Sequence, residues 1–192
     1  MDEGHSPFES VREQVSLHLA LFSAMDEYDR VHAEVQARPA LTEETADPCL
    51  TNLWYRWERC RATALILAAA CVEATINVYL AFKAPDLFEE LQWKPFMVKL
   101  TTVPRQFDDK YELPESSELY RDLKRLHEWR NALMHLREDV TYQGKTVQGA
   151  DTARASADDE HEFVKRCRNI VDRLLEHLRE FDRSDAAMRA SM

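Results

Sequence analysis

The chain of 192 residues predicts an all-α fold, and three features of its sequence carry that expectation. It holds only three glycines. No proline falls between Cys49 and Ala84 or after Pro114, which leaves two long windows free of the strongest helix breaker. Apolar residues recur at helical spacing through both windows. The length suits a single domain over 1–192, an up-and-down bundle of about five helices, with 1–7 and 184–192 expected as flexible ends.

The first helix is expected from about Phe8 to Ala37. Val11, Val15, Phe22 and Met25 lie on one seam, with Leu17, Leu21, Tyr28, Val31 and Val35 beside it. A polar loop with Pro39 and Pro48 follows, and Thr51 or Asn52 can cap a second helix running to about Lys83. Prolines at 85, 95, 104 and 114 then mark a connector, with short helices expected around LFEELQW and PFMVKL. Ser116 or Ser117 is placed to cap a helix through about Leu136. The segment DVTYQGKTVQGAD suggests a small hairpin around Gly144. A last helix opening near Ser156 is expected to bury Phe163, Cys167, Ile170, Leu174, Leu178 and Phe181.

The formal net charge of −10 argues against a general nucleic-acid coat protein, which would be basic. A local basic site remains open. From Tyr120 to Arg137 the cations Arg121, Lys124, Arg125, Arg130 and Arg137 face only Asp122 and Glu128 as anions. The cysteines at 49, 60, 71 and 167 form no CxxC pair, which favours reduced thiols and a cytoplasmic setting. The first residues, MDEGHSPFES, lack the basic start and apolar run of a signal peptide. Ala64–Phe82 is apolar enough to raise a membrane span, but Glu73 and Asn77 at its middle make a buried core helix the better expectation. No metal or cofactor is expected. A di-iron bundle needs paired Glu-x-x-His, whereas only Asp-x-x-His occurs, at 29/32 and 158/161.

The stretch HEWRNALMHLRED, His127–Asp139, breaks the simple pattern. At about 100° per residue, Leu119, Leu123, Leu126, Trp129, Leu133 and Leu136 form one apolar arc, and Arg130 falls inside it. His127, Asn131 and His135 occupy the adjoining polar edge. An arginine there must be paired, for example with Glu73, or must face a wet cleft against another chain. Arg130 and His135 point about 140° apart on an ideal helix, so a two-fold pairing of copies or a distorted helix end would bring them together.

Arg130-Asn131-x-x-x-His135 resembles the R-x(4–6)-H motif of HEPN-domain proteins, with a polar residue directly after the arginine. The Ala-rich helix with its mid-helix acid (AAACVEATIN), the connector QWKPF and the final amphipathic helix extend the likeness over about Trp54–Phe181. Arg12/His18, Arg121/His127 and Arg154/His161 also fit the spacing, but only Arg130/His135 closes a strong helix. The resemblance implies a metal-independent endoribonuclease, a homodimer with motifs facing across a cleft, that acts in toxin–antitoxin, phage-defence or stress RNA cleavage. A protein antitoxin or regulator would be a natural partner. In that reading Arg130 holds the phosphate and His135 takes the ribose 2′-hydroxyl proton. Asn131 orients His135 or contacts the phosphate, Glu73, Asn77 and His127 support the site, and Lys124, Arg125 and Arg137 contact RNA. The tyrosine that some toxin members carry two residues after the histidine is here Arg137, so control through that position is not implied. The alternative is a non-catalytic HEPN-like module that binds a nucleotide or a partner protein.

Overall fold

The computed structural model describes residues 7–37, 48–106, 111–134 and 150–189. They form α1 (Pro7–Gln36), α2 (Pro48–Lys83), α3 (Phe88–Leu91), α4 (Phe96–Thr101), α5 (Glu118–Met134), α6 (Ala150–Arg168) and α7 (Ile170–Arg189), with 3-10 turns at Pro85–Leu87 and Pro104–Gln106. No strand occurs among the described residues, and the all-α class holds. The loop at 38–47 and the hairpin around Gly144 lie outside them.

Helix α2 is the hub. At 36 residues it spans about 54 Å, and α1, α5, α6 and α7 all pack against it. Ala64, Leu65, Ala68, Ala69, Cys71, Val72, Ile76 and Leu80 are buried along it. It is long and apolar enough to cross a membrane, yet half of its most apolar window is already covered by its own neighbours. The small side chains let α1 approach closely, and Gln14 Nε2 donates to the buried Thr75 Oγ1 at 2.8 Å across that contact.

On α1 the core takes Leu21, Met25, Tyr28 and Val31, with Leu17 and Val35 partly covered. Of the expected seam of Val11, Val15, Phe22 and Met25, Met25 turns inward, but Val15 and Phe22 do not. Both are exposed, and Leu19 joins them on the outer side. Two adjacent apolar seams were available on this helix, and α2 alone cannot cover both.

The single last helix is a second correction. It is two helices, broken at Asn169, where the backbone N–H bonds back three residues to Arg166 O at 3.3 Å. The break leaves the apolar stripe intact, since Phe163, Cys167, Ile170, Leu174 and Leu178 are all buried. Helix α5 is clamped to this pair by charge. Asp122, nearly buried, accepts from Arg173 Nη1 at 2.7 Å and from Arg166 Nε at 3.3 Å. Ser117 caps α5, its Oγ accepting from Tyr120 N at 3.1 Å.

Candidate anion site at the junction of α2, α4 and α5

The connector turns back on itself at Gln92–Pro95 and sends α4 across α2. Phe96 and Leu100 are buried there, and so is Lys99, at 0% exposure. An ammonium taken out of water needs oxygen partners to offset the lost hydration. Lys99 Nζ has three: Glu73 Oε1 at 2.9 Å, Asn77 Oδ1 at 3.0 Å and the Gln92 carbonyl at 2.9 Å. The Glu73/Asn77 pair on α2, one turn apart, is thus the seat of this lysine.

The other oxygen of Glu73 faces α5. Arg130 Nη2 lies 3.6 Å from Glu73 Oε2, an ion pair beyond normal hydrogen-bond length. The Arg130 side chain is 37% exposed, on the margin of the apolar arc rather than inside it. Leu123 and Leu126 fill the core, while Leu119, Trp129 and Leu133 pack on its edge. Trp129 is tied to α2 through the Arg61 guanidinium, which lies 4.7 Å from its ring centroid and also pairs with Glu58 and Glu160. That contact fixes the rotation of α5 next to Arg130.

His127, expected on a solvated edge, is half-buried and stacks on Phe96, with ring centroids 5.1 Å apart and planes 9° from parallel. Its Nε2 lies 3.0 Å from Asn131 Nδ2, so the amide of Asn131 reaches back to His127. Its Nδ1 is buried and has no hydrogen-bond partner among the described residues. Burial, then the nearby positive charge of Arg130, lowers the His127 pKa, while Glu73 and Glu128 oppose the shift. The ring is therefore biased towards the neutral form.

Of the expected site residues, Arg130, Glu73, Asn77, Asn131 and His127 come together here. His135 and Arg137 lie outside the described residues, and with them the expected contact of Asn131 to His135. Arg125 does not join the group. It turns to α6, with its guanidinium 4.4 Å from the Phe163 centroid and 3.1 Å from Asp159 Oδ2. Lys124 is exposed. The residue that sequence reasoning missed is Lys99. Its signal was present: a lysine among the apolar residues of PFMVKL, and an acid–amide pair on α2 in need of a donor. No family model, no curated protein and no solved structure matches this chain.

Proposed function

We propose that the protein is a metal-independent endoribonuclease in which Arg130 takes the scissile phosphate. The observation that carries this reading is the state of Arg130. It is a part-exposed guanidinium whose one carboxylate partner among the described residues, Glu73, is held more closely by Lys99 than by Arg130 itself. A guanidinium left partly uncompensated at a surface is a receptor for an anion, and its planar fork suits two phosphate oxygens. Five residues on, His135 supplies the base. It takes the proton of a ribose 2′-hydroxyl, the 2′-oxygen attacks phosphorus, and the bond to the 5′-oxygen breaks, that oxygen leaving with a proton taken from solvent. The products are a 2′,3′-cyclic phosphate and a 5′-hydroxyl. Arg130 offsets the charge that develops on the phosphoryl oxygens. A two-fold pairing of copies through α5 would set two such motifs face to face, and a protein regulator would have that cleft to close.

The net charge of −10 favours a second reading, a binding module for a nucleotide or partner protein built on the same Arg130 site. Incubation of the purified protein with total RNA in EDTA separates the two. The enzyme reading expects cleavage with cyclic-phosphate ends, and a fall of roughly 10²–10⁴-fold in His135→Ala with RNA binding retained. Cleavage at the wild-type rate by His135→Ala excludes the assigned base.

A further inference from the structure

One carboxylate serves two cations at the α2–α4–α5 junction, and it serves them unequally. Lys99 Nζ approaches Glu73 at 2.9 Å, within hydrogen-bond length, while Arg130 stands off at 3.6 Å. Lys99 is fully buried, and its three N–H bonds end on three oxygens. That exhausts the donors of an ammonium, so Lys99 has no capacity left for a ligand. The trio Lys99, Glu73 and Arg130 carries a formal net charge of +1, and its accessible cation is the guanidinium, beside a Glu73 side chain of similar exposure.

We propose that Lys99 is a positioning residue for phosphate recognition. By holding Glu73 on the α4 side, it keeps that carboxylate from closing on Arg130, and so leaves the guanidinium able to receive a backbone phosphate of single-stranded RNA. The inference rests on the reading of Arg130 as the phosphate ligand. Without Lys99, the Glu73 carboxylate keeps one cation partner among the described residues, Arg130. Arg130 and Glu73 would then close into a bidentate pair, the strongest geometry these two groups have. An incoming phosphate would have to displace a carboxylate. Lys99 thus acts through Glu73 and touches no substrate.

The test uses the full chain and a fluorescein-labelled 2′-O-methyl oligoribonucleotide, which offers phosphates but no attacking hydroxyl, with binding read by fluorescence anisotropy. Lys99→Met keeps the length of the side chain and removes its charge. It is expected to weaken binding by roughly tenfold to a hundredfold, the worth of charge-assisted hydrogen bonds now taken up by Glu73. Adding Glu73→Gln to Lys99→Met removes the competing carboxylate and is expected to restore wild-type strength. Glu73→Gln alone, in which Lys99 keeps oxygen partners, is expected to bind more tightly than wild type. A folded Lys99→Met that binds like wild type overturns the proposal, and so does a double variant as weak as the single one. Should Lys99→Met not fold, Glu73→Gln and the double variant decide. The double variant replaces both ends of the ion pair, a change that buried pairs tolerate. Binding by Glu73→Gln no tighter than wild type then overturns the proposal. Arg130→Ala is the separate control: if it binds as well as wild type, the phosphate reading fails whatever Lys99 does.

Discussion

His127 shows how much of this site is set by one ring. It stacks on Phe96, reaches Asn131 through Nε2 and sits beside Arg130. Burial and a neighbouring cation both disfavour its protonated form. His177 on α7, packed edge-on against Tyr111, is shifted in the same direction by burial. The sign of the consequence follows. A histidine whose pKa is lower in the folded chain binds its proton more readily when unfolded, so folding stability is complete above the ordinary value near 6.5 and falls as pH drops below it. Thermal melts taken from about pH 7.5 down to about pH 5.5 should therefore show a falling midpoint. Replacing His127 or His177 with glutamine should flatten the decline. A midpoint that is level over this range, or a slope that both variants leave untouched, would remove these two residues as its cause.

At the scale of elements, local chemistry decides where helices stop and tertiary contact decides what they face. Ser117 is a local matter: its Oγ serves the Tyr120 N–H, one of the donors that α5 cannot satisfy internally. Ser117→Ala should cost about 1 kcal/mol, which calorimetry would read as a midpoint lower by roughly 2–4 °C in a chain of this size. An unchanged midpoint would mean that solvent serves that donor equally well. Both serines were candidates from sequence, and only the folded geometry chose between them. The same division runs through the rest of the chain. The stripe Phe163–Leu178 was legible because α6 and α7 bury one face, and a face leaves a period. The break at Asn169 was not, since no proline or glycine marks it. Val15 and Phe22 misled because α1 carries two apolar seams, and which one α2 covers is a property of the pair. Lys99 stood out among its apolar neighbours, but its partners were illegible for the same reason at smaller scale. Its three oxygens come from α2 and from the turn before α4, and nothing local to PFMVKL brings them near.

Over the whole molecule the charge works against the proposed ligand. With 35 acidic residues against 25 lysines and arginines, the chain repels a polyanion at long range, and Arg130 must act within that field. Two effects of salt then oppose each other. At higher salt each counterion released at a phosphate contact gains less entropy, which weakens binding by about 0.7 log units per log unit of salt for each contact to a single strand. Salt also screens the long-range repulsion beyond a Debye length of about 10 Å at 0.1 M, which favours binding. Among the described residues, two cations are withdrawn from such contact: Arg125 is engaged with α6, and the Lys99 ammonium is sealed off. RNA affinity should therefore fall only gently between about 50 and 200 mM salt, with none of the steep loss of a basic nucleic-acid binder. Arg130→Ala should reduce the slope by about one contact, near 0.7, in addition to weakening the binding itself. An affinity that is indifferent to salt, or an Arg130→Ala slope equal to that of wild type, would mean that the ligand is held by something other than a phosphate on this guanidinium. A partner protein would then be the better occupant of the site.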